Sequence, residues 1–237
     1  MMLVALIPLV TILATQCVRH QVDMDRDRAQ SIAIARLLSP ANMLAPLRVI
    51  GASLILPRLT LAGAFLACGQ GSLFAFLVTY LNQGLGLDLV TSGGIYAMTQ
   101  VAGMPGRVAL GWIADRMGSG LPALRFLSLT SALTLTVCAM TTPAWSPLAL
   151  TLLSAIAGVT VSSWNGVQLA EVAREAPKGR VGETTSGATL YVFFGYIVGP
   201  ALFAMLVTAT GDYRAAFLLV AGLTLMAGLA LWPKHRG

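Results

Sequence analysis

Charge is scarce in this chain. Of 237 residues, 15 are Lys or Arg and 9 are Asp or Glu, 10% in all, while 57% are hydrophobic. An ordinary soluble domain carries about 25% charged residues, so these few cannot clothe a water-exposed surface. Histidine is rarer still: His20 and His235 both stand at polar margins, which excludes a His-Glu-x-x-His zinc helix and an imidazole base inside the apolar segments. Gly-x-Ser-x-Gly and a Walker loop are absent, and Gly84-Leu-Gly86-Leu-Asp88 sets its aspartate one place too late for an aspartyl intramembrane motif. Cys17, Cys68 and Cys138 are scattered through apolar segments, an odd number without metal-ligand spacing, and read as small core residues. The chain is therefore expected not to be an enzyme and to need no metal or cofactor.

Long apolar runs are what the sequence has instead. A spanning helix needs about 20 apolar residues to cross about 30 Å of hydrocarbon, and six runs of that length lie near 60–82, 90–114, 121–142, 146–171, 183–209 and 214–233. A shorter one covers 2–17. The fold class read from this pattern is an all-α membrane protein, a six-helix transmembrane bundle with one partial N-terminal span. Three segments follow: 1–17 as the partial span, 18–58 as a cytoplasmic linker, and 59–237 as the bundle. Within the linker, 29–38 reads as a short interfacial helix, and 18–30 reads equally well as a disordered loop.

The connections carry cations or lack them in strict alternation. Arg19, Arg26, Arg28, Arg36, Arg48 and Arg58 lie between the first two runs. Arg107, Arg116 and Arg125 flank one later connection, Arg174, Lys178 and Arg180 another, and Lys234 and Arg236 end the chain, leaving only Arg214 on the other side. The positive-inside rule places the cationic side in the cytoplasm, with this chain's N-terminus outside and its C-terminus inside. That bias accounts for the net charge of +6 and sets aside nucleic acid as a partner, since such a surface is a contiguous basic patch. A signal peptide is disfavoured because the cations follow the first run instead of preceding it. With 13 Arg to 2 Lys and abundant Ala and Gly, the chain suggests a GC-rich bacterial genome and an inner-membrane address.

Charge inside an apolar run calls for a function by default, and residues 106–118 hold three such groups. Arg107 shares a helical face with Tyr96, Gln100, Met104, Gly111 and Asp115. Two readings stand: a guanidinium that grips a substrate carboxylate, or a long side chain that snorkels to the interface. Gln70, Ser162, Asn165, Gln168, Tyr191 and Tyr196 either line the same cavity or tie helices together by hydrogen bonds. Gly63, Ala67 and Gly71, and Gly195 with Gly199, read as close-packing faces.

Gly111-Trp-Ile-Ala-Asp115-Arg116-Met-Gly118 resembles the Gly-x-x-x-Asp-Arg/Lys-x-Gly signature of the major facilitator superfamily, in the copy between the eighth and ninth spans. Gln70 to Tyr80 resembles that family's seventh span, Ser162 to Glu171 its tenth, Gly182 to Pro200 its eleventh, and Gly211-Asp-Tyr-Arg214 its last outer turn. The resemblance implies half of a major facilitator fold, with Gly111, Asp115, Arg116 and Gly118 as a gating latch whose partner lies in the other half. A plain topogenic turn is the other reading of the motif. Arg107 with Gly111 also resembles the monocarboxylate and oxalate-formate branches, although Gly103 stands where some of those carriers place an acid and Ser119 where a cation usually follows the signature. What the resemblance implies is a C-terminal half of a secondary active transporter, or a fragment of one. It would move a small solute such as an organic anion, by symport with protons, beside an N-terminal six-span half or a second copy. The alternative is a membrane subunit that does not transport, or a truncated carrier without function.

Overall fold

A computed structural model describes residues 12, 15, 16, 46–51 and 53–232. Cys17, the histidines, most of the expected partial span and most of the linker lie outside the described residues. Seven helices belong to one compact unit, Leu44–Gly237. They are α1 (Leu56–Thr79, continued by a π-helical turn at Tyr80–Gly84), α2 (Leu89–Arg116), α3 (Leu121–Met140), α4 (Pro147–Ser162), α5 (Asn165–Arg174), α6 (Val181–Thr210) and α7 (Tyr213–Ala230). No strand occurs among the described residues.

Local chemistry sets the helix boundaries. Proline stands in the first turn of α1, α3 and α4, where its missing N–H costs nothing. Asp88 caps α2 by accepting from the amides of Val90 and Thr91, both at 3.0 Å. Hydrogen bonding from Thr91 holds its carboxyl below the usual carboxylate range. Ser146 caps α4 and Asp212 caps α7 in the same way. Gly118 and Gly211 end α2 and α6 at φ of 66° and 68°, a left-handed geometry that glycine adopts without penalty.

Among the described residues, five segments are long and apolar enough to cross a membrane: Leu56–Gly84, Leu121–Met140, Pro147–Arg174, Val181–Thr210 and Tyr213–Ala230. The sixth expected span, α2, has 28 residues, about 42 Å at 1.5 Å per residue. Thr91, Ser92, Thr99, Gln100 and Arg107 reduce its apolarity. The span expected near 146–171 is present as Pro147–Arg174, but it is broken at Ser163 and Trp164 into α4 and α5.

α1 and α6 run in the same direction and meet through small residues. A Cβ on Gly195 would collide with the Ala64 carbonyl, and one on Gly199 would lie 2.5 Å from the Cα of Cys68. The small-residue spacing read from the sequence is thus the α1–α6 contact. Residues 46–50, assigned to the linker from sequence, form a helical turn whose Val49 and Ile50 are buried. Gly187 of α6 abuts the carbonyl of Pro46.

The bundle has two apolar cores, one toward each end. One gathers Leu56, Leu59, Leu66, Leu124, Trp164 and Val192 at the cationic end. The other gathers Leu77, Tyr80, Leu135, Phe203 and Phe217, with Phe203 stacked on Phe76 at 4.9 Å. Between them lies a polar layer in which Gln70, Asn165 and Tyr196 hydrogen-bond to one another and Arg107 reaches the Ser162 carbonyl.

Candidate functional site

The polar layer is organised around the break between α4 and α5. A break of this kind leaves the last carbonyls of one helix and the first N–H groups of the next without intrahelical partners. Glycines bring α2 against it: a Cβ on Gly158 would strike the Thr99 carbonyl, one on Gly103 would lie 2.7 Å from Ser162 Oγ, and one on Gly106 would lie 2.8 Å from Ser163 Oγ. This approach carries Arg107 to the end of α4, where its Nε donates to the Ser162 carbonyl at 3.2 Å. Ser131 Oγ donates to the Thr160 carbonyl at 2.9 Å. A cation at a helix C-terminus also offsets the negative end of the helix dipole.

Across the break, three side chains form a closed triangle. Asn165 Nδ2 donates to Gln70 Oε1 at 3.0 Å and to the Tyr196 hydroxyl at 3.3 Å, and that hydroxyl donates to Gln70 Oε1 at 2.9 Å. With Gln70 Oε1 accepting twice, its Nε2 donors and Asn165 Oδ1 remain unengaged among the described residues. The arrangement therefore presents one cation, the N-terminal end of α5 and a small set of neutral donors and acceptors, chemistry suited to holding an anion.

Other sequence-derived candidates fall elsewhere. Gln100 and Tyr96 lie on the α2 stripe that leads to Arg107, with Tyr96 edge-on to Phe74 at 6.1 Å. Gln168 is buried and donates to the Leu59 carbonyl at 3.4 Å, a tie between α5 and α1. Tyr191 lies on a different face of α6 from Tyr196 and lines an apolar groove with Leu190 and Phe194. Cys68 and Cys138 are free and buried, and no metal-ligand cluster occurs among the described residues.

At the cationic end, Arg116 lies over the Trp112 ring at 3.9 Å, and Asp115 is exposed, its carboxylate without a hydrogen bond or ion pair among the described residues. Glu171 receives a helix N-terminus within this bundle: it is 2% exposed and accepts from the Gly120 amide, the start of α3, at 2.6 Å. Arg174 pairs with Glu171 at 3.0 Å and donates to the Gly118 carbonyl at 2.5 Å. Gly111 has nothing within 4 Å of where a Cβ would stand, so its open side and the charges of Asp115 and Arg116 face away from the bundle. Glu171 and Arg174 were missed from sequence, though an acid three places before an arginine at the end of an apolar run was a signal.

The family model of the Major Facilitator Superfamily matches residues 1–190. Monocarboxylate transporter 13 of Bos taurus is 28% identical over 171 residues, 72% of this chain and 39% of the relative. An uncharacterized MFS-type transporter of Mycobacterium tuberculosis is 28% identical over 181 residues, 76% of this chain and 40% of the relative. The chain thus spans about two fifths of the length of the curated relatives it matches.

Proposed function

Because the chain belongs to the Major Facilitator Superfamily, we propose that it acts as the C-terminal six-helix half of a secondary active transporter that moves a small organic anion by alternating access. The observation that carries this reading is the Arg107 guanidinium, anchored through Nε on Ser162. Its two terminal nitrogens are left unengaged among the described residues. They offer a fork for a carboxylate, and the first turn of α5 adds the positive end of a helix dipole. Carrier sites of this kind lie near the bilayer midplane at broken helices, between two bundles. The name of the bovine relative, a monocarboxylate transporter, supports a carboxylate as cargo.

The path needs a second wall. Apolar side chains beside the layer on α2 and α6 are uncovered, Val108 at 74% and Ile197 at 71%. An N-terminal half, or a second copy, is the partner that would cover them and meet Asp115 and Arg116 as a latch. Coupling to protons rests on the family resemblance, and no acid contacts Arg107 among the described residues. The test is exchange in proteoliposomes that hold both halves: labelled short-chain carboxylates exchange and the matching amides do not. Equal exchange of acid and amide would sink the anion reading.

The same proposal sets the cationic end in the cytoplasm of a bacterial cell, through the positive-inside rule. In a cysteine-free background, Thr142→Cys is expected to react with an impermeant maleimide on intact cells, and Ser119→Cys only after permeabilisation. The reverse pattern would invert the topology.

A further inference from the structure

On the flank of α6 that carries Tyr191 lies a groove of about 570 Å³ whose lining is almost wholly apolar. Leu61, Phe65 and Cys68 form one wall and residues 190–202 of α6 the other, with Leu47 at one end. Since α1 and α6 run in the same direction, the groove starts at the cationic end and extends toward the middle of the bundle. Residues 190–202 measure about 18 Å along a helix, a length that suits an extended hydrocarbon chain.

Two cations neighbour its lining residues along the chain. Arg58 precedes Leu61 by one turn on the stripe that continues through Phe65 and Cys68, and exposed Arg48 adjoins Leu47. Neither guanidinium is engaged by a described residue. A protein helix laid over the groove would satisfy its apolar walls and leave both cations without a counter-charge. We propose that the groove holds one acyl chain of an anionic phospholipid, with the lipid phosphate bound between Arg48 and Arg58. The site is separate from the polar layer around Arg107 and does not depend on what the carrier moves.

Native mass spectrometry of the purified chain with added phosphatidylglycerol or phosphatidylcholine tests this. One phosphatidylglycerol molecule is expected to bind at about tenfold lower concentration than phosphatidylcholine. The double variant Arg48→Gln/Arg58→Gln should lose that preference, and Val198→Trp, which fills the groove, should lose both adducts. Leu61→Trp fills the same groove from an exposed position and replaces Val198→Trp if the latter does not fold. Equal affinity for the two lipids overturns the proposal. So does undiminished binding to a folded groove-filled variant, or cross-linking of a cysteine at position 198 to an N-terminal half.

Discussion

Arg107→Ala is expected to reduce carboxylate exchange by about 100-fold or more while the protein still inserts and purifies. Hydrogen bonds to a charged group contribute about 1.5–3 kcal/mol each, and 1.4 kcal/mol is a factor of ten, so losing a two-pronged contact removes at least two decades. Arg107→Lys keeps the charge and loses the planar fork, and exchange should fall by roughly tenfold. The alanine variant also strips Ser162 of its donor at the end of α4, at a cost of about 1 kcal/mol of stability. A thermal melt separates that loss from the transport defect. Exchange by the alanine variant within twofold of the parent protein would remove Arg107 from the site.

The second large effect is structural. Gly158→Leu is expected to prevent the α2–α4 contact, because even a Cβ there collides with the backbone carbonyl of Thr99 and no side-chain rotation relieves it. Overpacking an ordinary core costs about 1–3 kcal/mol, and a clash with backbone exceeds what a rotamer change absorbs. Gly158→Ala should already lower the melting temperature by several degrees. Gly158→Leu should give an aggregated profile in detergent size-exclusion chromatography. A monodisperse Gly158→Leu protein with an unchanged melting temperature would show that the two helices do not touch there. The same approach holds Arg107 at the break, so any folded fraction should transport poorly.

Much of the architecture is legible in the sequence because bilayer physics writes it there. Run length gives the helices, cation placement gives the alternation of ends, and the spacing of Gly63, Ala67, Gly195 and Gly199 marks the α1–α6 contact. The break in the fourth run is not legible by length or hydropathy, since Pro147 to Arg174 is apolar enough for one span. The turn-forming Ser163-Trp-Asn-Gly166 was its local trace. Tertiary register decides the remainder. Asp115 and Glu171 are both acids near the cationic end, and only packing reveals that Glu171 receives the α3 N-terminus while Asp115 faces outward. Tyr191 and Tyr196 differ by five residues on one helix, which turns one toward the groove and the other toward Gln70 and Asn165.

If the Arg107 layer is one wall of a path completed by a second bundle, transport depends on both bundles. Exchange of a labelled carboxylate is followed in proteoliposomes containing this chain alone or the chain co-assembled with an N-terminal six-span half. Exchange is expected only when both halves are present, and Arg107→Ala should abolish it. Carboxylate exchange by this chain alone as a verified monomer, or exchange by the two halves that ignores Arg107, would contradict the two-bundle path.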